Sequence, residues 1–217
     1  MGETDALRLR AEQVANSRKS AFGNSSDAAH RLRLIVDAAA LRFEGNGFHG
    51  TSLQQIAEDV GITKAALYHY LDSKEHLLFM VHDAFVTAMI DSAEEFIAGH
   101  PDPTEQLSFF ISNIFDTVTK YRPYVKAFFR DYGVLSGELQ TRLRNKRAHY
   151  EDIVKNAISA GIDDGSFSPH LDPHHAALFL FGACNWSLHW IKPNESERAQ
   201  ELAKQWEAIL LHGFKGV

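Results

Sequence analysis

The 217-residue chain carries 22 Lys and Arg against 28 Asp and Glu, a formal net charge of −6, and is 45% hydrophobic and 23% charged. These are ordinary values for a soluble globular protein with an ample core, and the acidic balance argues against a general nucleic-acid coat while leaving room for a local cationic face. No apolar run approaches the ~20 residues of a membrane span, the first residues lack a basic-then-apolar leader, and the single Cys184 excludes an internal disulfide, so a reducing cytoplasm is the expected location.

Residues 1–26 read as a flexible arm, polar and rich in Arg, Ser and Asn, ending in the turn signal Gly23-Asn24-Ser25-Ser26. From there a helical pattern begins. Leu32, Ile35, Val36, Ala39 and Phe43 recur at three- and four-residue spacing until Gly45-Asn46-Gly47 supplies a stop. Thr51 is placed to cap a short helix to about Val60, with Gln54 at capping-box spacing. Gly61 then turns the chain, and Thr63 caps a second short helix to about Tyr70. A long helix over 73–98 ends at Gly99-His100-Pro101. Further helices are expected over 103–120, 122–132, 138–160, 173–191 and 196–214, separated by Tyr121-Arg122-Pro123, Tyr132-Gly133, a 161–169 loop and Lys192-Pro193-Asn194. No period-two strand pattern occurs, so the expected fold is all-α.

The two short helices about Gly61 have the shape of a helix-turn-helix, with Leu53, Ile56, Ala57, Val60, Ile62 and Leu67 as its core and small Ala57 permitting close approach. The second helix would span roughly 12 Å at 1.5 Å per residue, short enough for a major groove. Lys64 stands at its leading end, Ala65 and Ala66 are small enough to approach thymine methyls, and Tyr68 and His69 offer polar tips. Thr51, Thr63 and Lys74 are placed to hold phosphates at helix starts. A plain helical corner with solvated Lys and Tyr would carry the same spacing.

The stretch Ile35–Leu78 goes further. Its Ala38-Ala39, Phe43, Gly47, Thr51-Ser52, Ile56-Ala57, Val60-Gly61-Ile62-Thr63-Lys64, Leu67-Tyr68-His69-Tyr70 and Ser73-Lys74-Glu75-His76-Leu77 closely resemble the DNA-binding domain of TetR-family repressors. That resemblance implies base contacts on Lys64 and Ala65, and phosphate contacts on Thr51, Tyr68, His69 and Lys74. It also implies a homodimer packed through the last two helices and an inducer pocket in each C-terminal half. The expected organisation is an arm at 1–26, a three-helix helix-turn-helix domain at 27–72 and a larger helical ligand-binding and dimerisation domain at 73–217. One departure stands out. Residues 27–80 hold five Lys and Arg against seven Asp and Glu, so any positive face must come from placement. Arg8, Arg10, Arg18 and Lys19 in the arm could add DNA contacts, or the arm could merely solvate.

The second half is dense in rings, and as a set they suit an apolar cavity with a few polar groups fixing a ligand, although each singly reads as core. The expected effector residues are Phe128, Arg130, Asp131, Arg147, Tyr150, Asn185, Trp186, His189 and Trp190. Leu171-Asp172, Asn185-Trp186, His189-Trp190 and Lys192-Pro193 resemble, more loosely, TetR-family regulators that respond to acyl-CoA thioesters. Arg142, Arg144, Lys146 and Arg147 either hold the phosphates of such a ligand or form a solvated face. A dimer surface is expected from Leu178, Phe181, Gly182, Asn185, Leu188 and His189 together with Leu202, Trp206, Ile209, Leu210 and His212-Gly213.

Asp163-Asp164, His170, Asp172 and His174-His175 lack strict metal-ligand spacing, and Asp172 before Pro173 reads as a helix cap, so no metal is expected. Glycine-rich phosphate loops, GxSxG, HExxH and paired cysteines are missing, Cys184 lies in an apolar helical run, and neither cofactor nor catalysis is expected. The sequence reads as a ligand-responsive repressor on a near-palindromic operator. The alternative is a helical lipid- or acyl-CoA-binding protein without operator specificity.

Overall fold

The computed structural model describes residues 27–192 and 195–215. The arm at 1–26 and the break at Pro193-Asn194 lie outside the described residues. Among the described residues every regular element is a helix: α1 (Asp27–Asn46), α2 (Leu53–Asp59), α3 (Lys64–Leu67), α4 (Lys74–Ile97), α5 (Pro103–Lys120), α6 (Arg122–Asp131), α7 (Gly137–Asp163), α8 (Pro173–Asn185), a 3₁₀ turn (Trp186–His189) and α9 (Ser196–Lys215). No described helix is long and apolar enough to cross a membrane.

The chain divides into two compact units. Of the described residues, unit 1 takes 27–84 and 123–143, and unit 2 takes 85–122 and 144–215. The division by packing therefore runs inside α4 and α7 rather than at residue 72, and it places nearly all of α6 with the helix-turn-helix.

In unit 1 the periodic face of α1 is the core: Ile35, Ala39, Ala40 and Phe43 are fully buried and join Ile56, Ala57, Leu67, Leu77 and Leu78. The helix stops at Gly47, whose φ of +71° favours glycine and whose N–H donates to Phe43 O at 3.0 Å. In unit 2 the core lies between α5, α8 and α9, with Leu107, Phe110, Ile111, Ile114, Phe115, Leu180 and Cys184 buried. Asp102 and Glu105 close a capping box at the start of α5, and Asp172 caps α8 by accepting from His175 N–H at 2.8 Å. The helix expected over 173–191 tightens after Asn185 into the 3₁₀ turn, where Trp190 N–H donates to Ser187 O.

Candidate nucleic-acid interface and effector site

Unit 1 builds the helix-turn-helix from local rules. The capping box lies one residue later than expected: the Ser52 hydroxyl accepts from Gln55 N–H at 3.2 Å, and Gln55 Oε1 accepts from Ser52 N–H at 2.8 Å. Thr51 is instead buried, and its hydroxyl donates to Gly47 O at 2.8 Å and Arg42 O at 3.2 Å, so it ties the loop to α1 rather than facing a phosphate. Gly61 turns the chain at φ +70°, with Ile62 N–H donating to Ala57 O at 2.9 Å. Leu53, Ile56, Ala57 and Leu67 are buried as expected, whereas Val60 and Ile62 are half-buried. The Arg42 guanidinium clasps the Asp59 carboxylate through Nε–Oδ2 at 2.6 Å and Nη2–Oδ1 at 2.8 Å, locking α1 to α2.

Thr63 caps α3 by accepting from Ala66 N–H at 3.1 Å. This α-helix is a single turn, shorter than the eight residues expected. The chain continues through i→i+3 bonds, His69 N–H to Ala66 O and Tyr70 N–H to Leu67 O. Leu67 faces the core, while Thr63, Lys64, Ala65, Tyr68 (50% exposed) and His69 all open to solvent from this one turn. The structure thus brings five of the seven expected DNA-contact residues onto one exposed segment.

Lys74 has another task. Its ammonium donates to Phe48 O and Thr51 O, each at 2.9 Å, and stands 4.2 Å from the Phe48 ring centroid. Two of its three donors hold the 47–51 loop, so Lys74 sets the entry to α2.

The same loop receives the end of α6, which sequence reasoning assigned to the effector pocket. Asp131 Oδ2 accepts from Phe48 N–H at 3.0 Å, and Arg130 Nη1 reaches Glu44 O and Gly45 O at 3.3 Å. A side chain at Gly47 would press on that guanidinium. Lys126 pairs with Glu44 at 3.3 Å, and the Tyr124 hydroxyl donates to buried Asp37. Burial pushes the Asp131 carboxyl above its ordinary value, against the Phe48 N–H and the charges of Arg130, His49 and Lys74. Phe128 packs against His82, Phe129 and Tyr132 within unit 1. Within unit 1, Phe128 packs against α4 and Arg130 and Asp131 brace the helix-turn-helix. Asp131 bonds at a separation of 83 residues, which no local spacing could have signalled.

Unit 2 gathers the rest only in part. Tyr150 is buried between Phe110 and Phe181, with ring centroids at 6.4 and 5.8 Å. Asn113 on α5 faces its hydroxyl and favours the ionised phenol, but burial dominates and pushes the Tyr150 pKa up. Among the described residues, Tyr150 Oη and Asn113 Nδ2 are both buried without a hydrogen-bond partner. Sequence reasoning missed Asn113, whose only signal is a polar residue on the buried face of α5. Cys184 lies beside Tyr150, and burial pushes its thiol up to about 12, so it stays protonated.

Trp186, His189 and Trp190 are exposed on the described chain, Asn185 is half-buried and Arg147 is exposed. Trp186 stacks on His189 at 4.2 Å, and Trp190 meets Trp206, whose Nε1 donates to Ala183 O. Along α8 and the 3₁₀ turn, Leu178, Phe179, Gly182 and Trp186 form an exposed stripe, and Ile209 is exposed on α9. Leu188 and Leu210, expected at a dimer surface, are buried within the unit. Lys146 donates to Thr87 Oγ1 at 2.8 Å, and Arg142 lies over the Phe79 ring. Among the described residues no His, Cys, Asp or Glu cluster is arranged to hold a metal ion.

A capped helix-turn-helix in one unit and a larger helical unit beyond it make up the architecture of a DNA-binding transcription regulator. Residues 35–81 match the bacterial regulatory proteins of the tetR family, and residues 100–214 match the tetracyclin repressor-like C-terminal domain. The chain belongs to the TetR family of transcription regulators. It is 26% identical over 193 residues to the HTH-type transcriptional repressor KstR2 of Rhodococcus jostii, covering 88% of this chain and 94% of that one. It is 22% identical over 181 residues to the fatty acid metabolism regulator protein of Bacillus subtilis, covering 83% and 93%. Among solved structures it resembles AibR in complex with isovaleryl coenzyme A and operator DNA, with a TM-score of 0.75, 26% identity, and 83% and 98% of the chains covered.

Proposed function

We propose that this regulator is a homodimeric repressor that binds a near-palindromic operator and releases it when an acyl-CoA thioester occupies unit 2. The observation that carries the DNA-reading half is the exposed Thr63, Lys64, Ala65, Tyr68 and His69 face over buried Leu67. Lys64 and Ala65 would meet base edges, and Thr63, Tyr68 and His69 the flanking phosphates. Two such faces at about 34–36 Å, one helical turn of DNA, would require a half-site on each side of a two-fold axis.

The second copy would cover the stripe of Leu178, Phe179, Gly182 and Trp186 together with Ile209. These are large apolar groups left in water, and Gly182 permits close helix approach. The acyl-CoA class is supported by the likeness to AibR, whose structure holds isovaleryl coenzyme A, and by the exposed Arg144 and Arg147 on α7 as phosphate holders.

For coupling, α6 is the natural strut. Arg122 at its start donates to Ile191 O within unit 2, and Asp131 at its end holds Phe48 within unit 1. An effector that prefers the arrangement in which α6 has moved would displace the 47–51 loop and the helix it starts, and that differential affinity is the whole of the coupling. The test is operator release: fluorescence anisotropy of labelled upstream DNA should fall as octanoyl-CoA is added. Unchanged anisotropy at saturating octanoyl-CoA would refute the thioester as effector.

A further inference from the structure

Two buried polar groups in unit 2 have no structural use. Tyr150 is 6% exposed, and among the described residues its hydroxyl has no hydrogen-bond partner, nor has the Asn113 amide nitrogen that faces it. Leaving such groups unsatisfied in an apolar interior is costly, and the surroundings here are rings and aliphatic side chains. Phe110 and Phe181 flank the phenol, and Val154 and Ala157 continue the buried face of α7 beyond it. A phenylalanine at 150 and a leucine at 113 would fill a plain core at least as well, so the polar atoms call for a third participant.

We propose that Tyr150 and Asn113 form the carbonyl-recognising element of the effector site, taking a neutral acyl oxygen on an otherwise apolar chain; this rests on the reading of unit 2 as the effector unit. The stereochemistry is specific. The Tyr150 O–H and an Asn113 Nδ2–H come from facing helices, α7 and α5, and two donors suit the two lone pairs of one carbonyl oxygen. Both donors are neutral and burial keeps the neighbouring Cys184 thiol protonated, so none of these three side chains compensates an anion. A free carboxylate is disfavoured relative to a thioester or ketone by the desolvation of its charge. The pair thus selects the activated acyl group over the acid from which it derives.

The experiment uses the full chain and four probes: octanoyl-CoA, its thioether analogue octyl-CoA, 2-nonanone and octanoate. Binding is read by quenching of tryptophan fluorescence, and operator release is read separately by anisotropy. Wild type is expected to bind octanoyl-CoA about tenfold more tightly than octyl-CoA, the worth of one to two net hydrogen bonds. Tyr150→Phe and Asn113→Leu should each shrink that ratio several-fold, while the Tm of the unliganded variants stays equal or rises. Measurable 2-nonanone binding would show a site for the carbonyl alone; its absence alongside the thioester preference would restrict the site to acyl-CoA. Octanoate should be the weakest probe.

A thioester-to-thioether ratio unchanged in both variants would overturn the proposal, as would octanoate binding as tightly as octanoyl-CoA or failure of octanoyl-CoA to bind at all. Thioester preference that depends on Tyr150, without operator release, would keep this site and remove the regulatory reading of its occupancy.

Discussion

Replacing Asp131 by Ala removes the acceptor of the Phe48 N–H at 3.0 Å and leaves a part-buried donor without that acceptor. An orphaned donor of this kind costs about 1–3 kcal/mol. In a protein of this size each kcal/mol moves Tm by roughly 2–4 °C, so a loss of about 4–8 °C is expected for a mid-range effect. Asp131→Asn keeps an acceptor and sheds the cost of burying the charge, so it should lose clearly less than Ala. The pH dependence separates acceptor from charge. The folded-state pKa of Asp131 is raised, so the folded state holds the proton more tightly than the unfolded chain. Its linked stability is therefore greatest below the unfolded value and declines as pH rises through the folded one. Scanning calorimetry as the pH is lowered from neutral toward the ordinary carboxylate range should show wild type gaining on Asp131→Asn. An equal loss for Asn and Ala, with no pH dependence in the difference, would refute the assignment of Asp131 as a neutral-tolerant acceptor for the loop.

Four further outcomes follow from the geometry. Tyr68→Ala and Lys64→Ala should each weaken operator binding by about 1–3 kcal/mol, read by anisotropy, with the oligomeric state in sedimentation unchanged. Asp59→Ala would remove the carboxylate that two Arg42 nitrogens bond and should destabilise the protein in denaturant unfolding by about 1.5–3 kcal/mol, more than an exposed charge change. Gly161→Ala would drive a Cβ into the Phe167 ring and should cost roughly 1–3 kcal/mol in the same assay, partly recovered by Phe167→Leu. Trp186→Asp together with Ile209→Asp should shift sedimentation velocity toward monomer, and a retained dimer would place the interface elsewhere.

What the sequence made legible was whatever is governed locally. The caps at Thr63 and Asp172, the stop at Gly47 and the turn at Gly61 are set by single residues and their nearest neighbours, and so could be read directly or nearly so. The one-residue shift of the capping box from Thr51 to Ser52 is of the same kind. Both residues can cap, and only the inward bonds of the Thr51 hydroxyl to Gly47 and Arg42 decide between them. Placement across the chain was not legible. Arg130 and Asp131 carry the charge and position of pocket residues, yet their partners lie more than 80 residues earlier. Trp186 and His189 lie on an apolar segment, but the 3₁₀ tightening after Asn185 turns them outward while Ser187 and Leu188 go in. Asn113 was invisible because one amide among hydrophobic spacings has no signature until Tyr150 is found opposite it.

The central claim is sequence-specific DNA binding through the Thr63–His69 segment that is relieved by a thioester. It is tested most directly by anisotropy on labelled upstream DNA and a scrambled duplex, at two salt concentrations, with and without octanoyl-CoA. The account predicts binding that weakens with salt, favours the upstream duplex by at least a few orders of magnitude, is weakened by about 1–3 kcal/mol in Tyr68→Ala and is reversed by the thioester. Equal affinity for both duplexes, or a Tyr68→Ala protein that binds as wild type does, would contradict it.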